Sequence, residues 1–356
     1  MNKPLRYIQV GTGGWGGYWC SNVLPRLAES GKAVAVAAVD VNAQNLLHAQ
    51  KTLNLPPAQC YSDTKTAFDA NATQADFAIV VVPPAHHEKV IDTALAHDLH
   101  VLCEKPIADS IEACCRVHKK VKAAGKKMAV TMSHRFDQDK QTLEREIQSG
   151  KYGALSSLIG RNTWANRKFA SWGKFRHEIP DALLIEGTVH HFDIIRGLTG
   201  SNAKTVYAVT WNPSWGEFAG DSNGLVTMIM ANGVKVFYEG NKTSATQLNG
   251  WGQDYFRAEC ELGVLELDNR RLRVLSDLSG ERVITEKPLA RQDAWLNPWL
   301  AEMYCDWLLG ARDSHPTNLD DNIQCAALLF AAVESAHTGQ PVDVQEYLRK
   351  HLNAVA

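Results

Sequence analysis

The stretch YIQVGTGGWG, residues 7–16, joins a short apolar strand to a glycine-rich turn. Its glycines at positions 11, 13 and 16 fit the pattern G-x-G-x-x-G. In that pattern the first glycine permits a tight turn, the second lets the backbone approach a pyrophosphate, and the third lets a helix pack closely on the sheet. The start of that helix favours an anion, because its N–H groups are unpaired and its dipole is positive there. On its own, the motif fits an ordinary glycine-rich turn about equally well.

The residues after the turn favour a dinucleotide ligand. A helical pattern over residues 22–30 leads into the apolar strand 33–39, and Asp40 ends that strand. A carboxylate at this place can accept both ribose hydroxyls of NAD and would repel the 2′-phosphate of NADP. No arginine or lysine lies between Asp40 and Gln50. We therefore predict NAD rather than NADP, bound by Gly11, Thr12, Gly13, Gly14, Trp15, Gly16 and Asp40.

Strand and helix patterns alternate through the first third of the chain. Further strand-like segments lie at 77–82, 100–103 and 127–132, and further helical patterns at 43–53, 88–97 and 111–124. The run 77–82 is apolar throughout, as expected of a strand that is buried on both faces of a parallel sheet. The alternation predicts an α/β fold whose N-terminal Rossmann domain, a doubly wound parallel sheet, covers residues 1–130.

Strand patterns dominate after residue 131. They lie at 155–164, 203–211, 224–230, 234–239, 256–262, 264–267 and 272–275, followed by helical patterns at 298–309 and 320–337. A hairpin signal, Ala-Asn-Gly at 231–233, separates two of these strands. We predict a second α/β domain over residues 131–356, with a large, mainly antiparallel open sheet, for substrate binding and oligomerisation. Its C-terminal helices are expected to be able to pack back on the Rossmann domain.

Charge and composition disfavour a nucleic-acid-binding, membrane-spanning or disulfide-bonded secreted protein. The formal net charge of the 356 residues is −2, so no basic field for nucleic acid is expected. No apolar run is long enough to span a membrane, and no leader-like stretch precedes the strand at 5–10. The eight cysteines form no C-x-x-C pair. These features predict a cytoplasmic protein with reduced cysteines and a small-molecule substrate.

Two strand ends carry chemically useful residues, in the stretches VVPPAHH (81–87) and VLCEKP (101–106). Ligands of open α/β sheets lie outside the carboxyl ends of the strands. We therefore expect five residues at the cofactor: Val82, Pro83, His87, Glu104 and Lys105. Lys105 could also hydrogen-bond a hydroxyl or carbonyl of the substrate and stabilise developing negative charge. The alternative for Lys105 is a surface salt bridge.

A second candidate stretch is LIEGTVHHFD, residues 184–193. On a helix, Glu186 and His190 lie four residues apart on one face. A carboxylate that orients an imidazole makes a competent general base for a hydroxyl proton. The alternatives are a surface ion pair or a buried histidine. We expect no metal here, because the adjacent His190 and His191 point to different faces of a helix and hydride transfer needs no metal.

The stretch VLCEKPIA (101–108) is similar to the EKP motif of the glucose–fructose oxidoreductase and inositol dehydrogenase family (Gfo/Idh/MocA). Pro83 and His87, the segment 186–193 and the ending TGQPV (338–342) also resemble that family, and the similarity covers nearly the whole chain. The resemblance implies an open sheet used for dimer or tetramer assembly, and Lys105 and His190 acting at the substrate with Asp193 near them. The chain departs from the family pattern at Glu186, where aspartate is frequent, and at Asp98, where glycine is common. A left-handed helix ending can tolerate the aspartate.

Aromatic and cationic residues mix between residues 161 and 176. Together with Arg135, the indoles Trp164 and Trp172 could line a sugar site, with ring faces on C–H surfaces and cations on oxygens. The alternative is a loop with ordinary core aromatics. We give Asp193, Lys105 and His190 a place in the same substrate site.

These features together predict an NAD-dependent dehydrogenase that acts on a CH–OH group of a sugar, sugar acid or polyol. It is expected to form a homodimer or homotetramer. One alternative is a glycosidase of the same fold that oxidises its substrate transiently and regenerates its NAD. Another is a non-catalytic NAD-binding sensor, which the presence of both Lys105 and His190 disfavours.

Overall fold

The computed structural model describes residues 3–168 and 175–355, and the chain folds into two units. The first unit comprises Met1–Ser133, Ala294–Ile323 and His351–Ala356. The second comprises His134–Asp293 and Gln324–Lys350. The first unit thus combines the N-terminal third of the chain with two segments from its C-terminal part.

Six parallel strands form the sheet of the first unit. They are β1 (Leu5–Val10), β2 (Ala33–Val39), β3 (Cys60–Tyr61), β4 (Phe77–Val80), β5 (His100–Cys103) and β6 (Met128–Val130). Their order is β3-β2-β1-β4-β5-β6, so the direction of winding reverses between β1 and β4. Ligands of such sheets bind where the strand order reverses. The predicted doubly wound parallel sheet is confirmed.

Helices connect these strands. They are α1 (Trp15–Tyr18), which continues through a π-helical turn (Trp19–Val23) into α2 (Leu24–Glu29), then α3 (Ala43–Thr52), α4 (Thr64–Asn71), α5 (His87–Ala96) and α6 (Ile111–Ala123). Asn42, Asp63 and Ser110 cap α3, α4 and α6, each accepting a hydrogen bond from a backbone N–H of the first turn. After α5, Asp98 adopts a φ of +63°, the left-handed helix ending that the sequence analysis allowed for at this aspartate.

The second unit begins with α7 (Gln138–Gln148), a helix that the sequence analysis missed. Its buried positions include Asp139, Lys140, Gln141 and Glu144, so apolar periodicity does not mark its inner face. The chain continues with β7 (Leu155–Thr163), α8 (Phe175–Glu178), a π-helical turn (Leu183–Thr188) and α9 (Val189–Thr199). Every residue of α9 is buried.

A nine-stranded sheet forms the body of the second unit. Its next strands are β8 (Ala203–Trp211), β9 (Asn223–Met230), β10 (Lys235–Asn241), β11 (Tyr255–Cys260), β12 (Gly263–Asp268), β13 (Arg271–Ser276) and β14 (Val283–Lys287). The order is β14-β13-β12-β11-β7-β10-β9-β8-β15, with β15 at Val342–Asp343. Within this sheet, and among the strands that the structure describes, only the β7–β10 pair is parallel. The predicted large, mainly antiparallel sheet is confirmed.

Three helices lie in the last 61 residues, where two were predicted: α10 (Leu296–Leu308), α11 (Leu319–Thr338) and α12 (Val344–Ala354). The sequence analysis missed α12 and the edge strand β14, whose residues are almost all exposed and therefore carry no burial pattern. Within residues 3–168 and 175–355, no helix is both long and apolar enough to cross a membrane. Each of the eight cysteines is a free thiol.

Candidate active-site residues

The glycine-rich turn between β1 and α1 cannot accommodate side chains at two of its positions. Gly11 has a φ of +86°, and a Cβ there would lie 2.0 Å from the carbonyl oxygen of Val81. A Cβ at Gly16 would lie 2.3 Å from the carbonyl oxygen of Gly11. Because backbone atoms cannot give way at such distances, both positions require glycine.

The middle of the turn fits a dinucleotide pyrophosphate. A Cβ at Gly13 would lie 2.2 Å from the side-chain nitrogen of Asn45, so α1 and α3 approach each other closely here. Gly14, with a φ of +50°, has no atom within 4 Å of the place where its Cβ would be. The backbone at the start of α1 is therefore open on that side, and bare backbone beside a helix start is the cradle that a pyrophosphate needs.

Asp40 fastens this turn to the end of β2. Its Oδ2 accepts hydrogen bonds from the backbone N–H of Thr12 at 2.8 Å and from the Thr12 hydroxyl at 3.2 Å. Its Oδ1 accepts from the N–H of Asn42 at 2.8 Å and from Nδ2 of Asn45 at 3.2 Å. The carboxylate thus shapes the turn, and its predicted contact with ribose hydroxyls stays a prediction.

Glu104 ties the turn to the end of β5. The indole N–H groups of Trp15 and Trp19 donate to its Oε1 at 2.8 and 2.9 Å, and the backbone N–H of Lys105 donates to Oε2 at 3.2 Å. Burial raises the pKa of the Glu104 carboxyl, although the indoles and Lys105 act in the opposite direction. The backbone that carries Lys105 is therefore held to the helix that carries Trp15.

His87 joins the two strand-end loops of the first unit. Its ring is fully buried, with Nδ1 2.9 Å from the carbonyl oxygen of Pro106 and Nε2 2.8 Å from that of Val82. Burial lowers the pKa of this imidazole. Both ring nitrogens contact backbone, so His87 fixes the loops that carry Pro83 and Lys105. Direct cofactor contacts of Val82, Pro83 and His87 stay predictions.

A buried carboxylate organises the second unit. Oδ1 of Asp254 accepts from Nδ2 of Asn162 at 2.7 Å and lies 2.9 Å from Nε2 of His191. Its Oδ2 lies 2.9 Å from Nε2 of His134 and 2.6 Å from Nζ of Lys140. We call these five residues the Asp254 cluster. All five are buried.

Charge in the Asp254 cluster is balanced over a wider network. Burial alone would raise the pKa of the Asp254 carboxyl, but the ammonium of Lys140 and the hydrogen bonds of His134 and His191 outweigh burial and hold that pKa well below its usual range. Lys140 also lies 3.2 Å from Asp139 and 3.6 Å from Asp137, and Arg270 donates to Asp137 at 2.7 Å. Burial lowers the pKa of His134 to about 4, so its imidazole is neutral at neutral pH.

Three members of this cluster, His134, His191 and Asp254, are of the types that bind transition metals, and their ligand atoms lie within 4.8 Å of one another. The ammonium of Lys140 contacts the same carboxylate at 2.6 Å and supplies the positive charge that an ion would bring. We therefore assign no metal to the cluster.

His190 lies beside two aromatic rings. Its imidazole meets the indole of Trp251 edge-on, with ring centroids 4.9 Å apart, and lies 6.1 Å from the ring of His134. Trp251 and His134 stack face to face, 3.9 Å apart and 14° from parallel. Trp251 was not a predicted site residue, whereas His134 belongs to the segment 133–136 that the sequence analysis represented by Arg135 as a possible lining of the sugar site. The flanking glycines Gly250 and Gly252 mark a turn in the sequence, but nothing local connects that turn to His190.

Other predicted residues take part in ion pairs. Oε1 of Glu186 accepts from Nε of Arg176 at 2.6 Å. Asp193 is fully buried, 3.3 Å from Nη1 of Arg196 and 3.9 Å from Nη1 of Arg135. The orienting role of Glu186 and the substrate contacts of Asp193 and Arg135 stay predictions.

Trp164 lies inside the second unit. Its ring is buried against Gly187, where a Cβ would come within 2.7 Å of it, and its centroid lies 6.1 Å from that of Trp251. These contacts show that Trp164 packs against Gly187, the residue that follows Glu186. Trp172 falls outside the described residues, and substrate contacts of both tryptophans stay predictions.

Comparison with known proteins identifies the family. Residues 5–132 match the model of an oxidoreductase family with an NAD-binding Rossmann fold, and residues 141–266 match the GFO/IDH/MocA C-terminal domain. The chain belongs to the GFO/IDH/MocA family. This GFO/IDH/MocA protein is thus an oxidoreductase-family member with an NAD-binding domain, and the resemblance based on the EKP motif is confirmed.

Individual relatives of this GFO/IDH/MocA protein include dehydrogenases. An uncharacterized protein of Sinorhizobium fredii, y4oX, is 40% identical over 97% of both chains. The inositol 2-dehydrogenase of Corynebacterium glutamicum is 29% identical over 68% of both chains. An inositol dehydrogenase homolog of Azotobacter vinelandii, solved with NADH and myo-inositol, has a TM-score of 0.81 at 16% identity, covering 96% of this chain and 98% of that one. This last likeness shows the fold.

Proposed function

We propose that this protein is an NAD-dependent dehydrogenase that oxidises a CH–OH group of a sugar, sugar acid or polyol. The observation that carries the proposal is the setting of His190. Its imidazole lies among aromatic rings, 6.1 Å from the ring of His134, which is itself held by a buried carboxylate. An imidazole in such a setting is suited to accept a hydroxyl proton.

NAD, when bound, supplies the hydride acceptor. The turn from Gly11 to Gly16 would hold its pyrophosphate, and Asp40 its ribose. We propose NAD rather than NADP because the side chain of Asp40 is a carboxylate whose hydrogen-bond donors are the amide and hydroxyl groups of Thr12, Asn42 and Asn45. A 2′-phosphate beside that carboxylate would be repelled.

Lys105 and His190 are the proposed catalytic residues. The ammonium of Lys105 would donate to the substrate oxygen and stabilise the negative charge that develops there. His190 would take the hydroxyl proton as general base, and Glu186 would position the imidazole. Each role concerns one proton or one hydrogen bond, so each can be removed separately by substitution.

The proposed substrate class rests on the names and bound ligands of two relatives. Inositol 2-dehydrogenase is the name of the Corynebacterium glutamicum relative, and the Azotobacter vinelandii homolog was solved with myo-inositol. A cyclic polyol or sugar is therefore the proposed substrate.

We also place the protein in the cytoplasm, since its cysteines are free thiols, as expected in a reducing compartment.

The test is a substrate panel with the purified protein and NAD+, made of myo-inositol, D-glucose, D-xylose, D-gluconate and the acyclic D-sorbitol. Absorbance of NADH that grows with time for at least one member is the expected result. Release of a free sugar from an aryl glycoside without NADH would instead establish the glycosidase. Tight NAD binding with neither reaction would establish the sensor, and either result would overturn the dehydrogenase.

We further propose a homodimer or homotetramer that assembles through the nine-stranded sheet. Leu225, Ile229 and Phe237 project from β9 and β10 with 46–53% of their surface exposed. Large apolar side chains on one sheet face are best buried against a second copy of that face. Light scattering at micromolar concentration measures this directly, and a monomeric mass would contradict it.

A further inference from the structure

Trp251 sits in a turn whose two ends are buried and polar. The backbone N–H of Gln253 donates to the carbonyl oxygen of Gly250 at 2.8 Å and closes the turn, in which Gly252 adopts a φ of +78°. Asn249 precedes the turn and Asp254 follows it, and both are fully buried. Trp251 itself keeps 43% of its surface exposed. The chain thus holds a large, half-exposed indole on a firmly anchored turn.

Asn249 anchors the start of the turn to the end of β7. Its backbone N–H donates to Oγ1 of Thr163 at 3.0 Å, and its carbonyl oxygen accepts from the N–H of Thr163 at 2.8 Å. Its side-chain Nδ2 donates to the carbonyl oxygen of Gln253 at 3.1 Å and to Oδ1 of Asp268 at 3.0 Å. Main chain and side chain of this residue both restrain the turn.

Asp254 anchors the other end through a buried ion pair with Lys140. Buried ion pairs are often no more stabilising than apolar residues of similar volume, so their presence is poorly explained by stability alone. What this pair does accomplish is to fix His134, on which Trp251 stacks. Nδ1 of His134 is itself buried and has no hydrogen-bond partner among the residues that the structure describes, so the contact of Nε2 with Asp254 and the stacking on Trp251 hold the ring.

We propose that the half-exposed indole of Trp251, stacked on the buried ring of His134, forms a binding subsite for the C–H face of a cyclic polyol or sugar, next to His190. This inference rests on the proposed dehydrogenase function. Aromatic faces pack against the apolar C–H surface of a sugar ring, while polar groups at its edge bind hydroxyls. Trp251 is then a specificity-determining residue, and Asn249 and Asp254 are positioning residues.

The test compares Trp251→Leu, which keeps an apolar side chain, with Trp251→Phe, which keeps an aromatic face. KM and kcat are measured with cyclic myo-inositol and acyclic D-sorbitol at saturating NAD+. For myo-inositol we expect the KM of Trp251→Leu to rise about fivefold, and that of Trp251→Phe to stay within about twofold, because an aromatic contact contributes on the order of 1 kcal/mol. D-Sorbitol should respond less, since it presents no rigid ring face.

Trp215→Leu provides the matched control, because Trp215 is 58% exposed, lies between β8 and β9 rather than on the sheet, and belongs to no proposed subsite or interface. Its KM should equal that of the unaltered protein. The decisive measurement is the ratio of the KM values for cyclic myo-inositol and acyclic D-sorbitol. A merely loosened turn would affect both substrates and would leave this ratio unchanged. Calorimetric titration of myo-inositol into the NADH-loaded proteins gives the same comparison independently of turnover.

Two results separate the inference from the function on which it rests. If the unaltered protein oxidises the panel and Trp251→Leu leaves the KM for myo-inositol within twofold, the subsite is wrong and the dehydrogenase stands. An equal rise of KM for both substrates would also overturn the subsite. If the unaltered protein neither oxidises nor binds any panel member, the proposed function and the subsite are both overturned.

Discussion

The glycine-rich turn of the first unit and the Asp254 cluster of the second are built in opposite ways. Six consecutive residues make the turn, and its shape depends on backbone atoms that approach within 2.0–2.3 Å of absent Cβ positions. Side chains make the cluster, and they come from α7, β7, α9 and the segments before α7 and β11, spread over residues 134–254.

This difference determines what each region tolerates. A backbone-built site excludes any side chain at its closest contacts, whatever the chemistry of that side chain. A side-chain-built site depends on charge balance, so a change that leaves one charge alone is costly and a paired change is tolerated better. The following predictions test that contrast, beginning with the largest effect.

Catalysis should depend on one residue of each unit and cofactor binding on neither. Lys105→Ala and His190→Ala are each expected to lower kcat by about 10²–10⁴-fold, the usual range for a lost general base or comparable group. The dissociation constant for NAD should stay within a few-fold, because the turn and Asp40 hold the dinucleotide. Steady-state kinetics and calorimetric NAD titration measure the two quantities.

Glu186→Gln serves as the graded comparison, since its proposed role is only to position His190. Its loss of kcat should be smaller than that of His190→Ala. Near-normal turnover in His190→Ala would mean that the proton leaves by another route. Collapse of NAD binding in either alanine variant would assign that residue to the cofactor instead.

Removing one charge of the Asp254 cluster should destabilise the second unit strongly. Asp254→Asn keeps the shape of the side chain but leaves the buried ammonium of Lys140 without its contact at 2.6 Å. Breaking a buried pair in this way costs about 3–5 kcal/mol of unfolding free energy. Urea-induced unfolding monitored by tryptophan fluorescence measures the loss.

The double variant Asp254→Asn/Lys140→Met tests whether charge imbalance is the cause. It should recover part of the lost stability, because no unpaired ammonium remains in the interior and Arg270, 2.7 Å from Asp137 and 3.8 Å from Asp139, still faces the two carboxylates that Lys140 had contacted. Asp277→Asn, at the exposed ion pair with Arg282, should leave the urea midpoint nearly unchanged. A double variant less stable than Asp254→Asn would show that packing, rather than charge, holds the cluster.

In the backbone-built turn, adding a single methyl group should be enough to weaken NAD binding. Gly11→Ala places a Cβ 2.0 Å from a carbonyl oxygen, so the turn must move, and NAD binding should weaken at least tenfold. Gly31→Ala is the matched control, because Gly31 has a similar positive φ of +66° but nothing within 4 Å of the Cβ position. It should lose only the conformational preference, about 1–2 kcal/mol of stability, and keep its NAD affinity. Equal NAD affinities in the two variants would contradict the close-contact argument.

The last prediction concerns acid stability and involves both units. Burial lowers the pKa of His134 in the second unit and of His315 in the first to about 4, from an ordinary 6.5. Between these values the unfolded chain binds a proton that the folded protein does not, so stability falls as pH decreases from 6.5 towards 4. The loss is about 1.4 kcal/mol per pH unit for each histidine.

Urea midpoints at pH 6.5 and pH 5.0 measure this dependence. His315→Gln removes one of the two titrating groups, so its midpoint should fall less between the two pH values than that of the unaltered protein. An identical pH dependence in both proteins would show that His315 titrates alike in the folded and unfolded states.

Local sequence determined most of the first unit. Five of its six strands, all except the two-residue β3, and the glycine-rich turn were predicted because their signals, apolar runs and glycine spacing, lie within a few residues of one another. Capping side chains, such as Ser110 at α6, act over the same short range. The strand patterns after residue 131 also located β7 to β13, since each strand of an open sheet carries its own pattern.

Elements without a local pattern were missed. Helix α7 places Asp139 and Lys140 on its buried side, so its inner face is polar in sequence. Strand β14 is exposed along nearly its whole length and has no alternation of buried and exposed residues. Their environments come from the rest of the second unit. A rule based on apolar periodicity cannot detect a helix whose buried residues are charged.

Only the tertiary structure decided the Asp254 cluster and the place of Trp251. The antiparallel register of β7 and β11 pairs Arg161 with Tyr255, which puts Asn162 opposite Asp254, and α7 and α9 then bring Lys140 and His191 to the same carboxylate. A shift of one residue in that register would turn every side chain to the other face. Local sequence determined which strands form, whereas their pairing, which depends on contacts across about a hundred residues of chain, determined which charges meet.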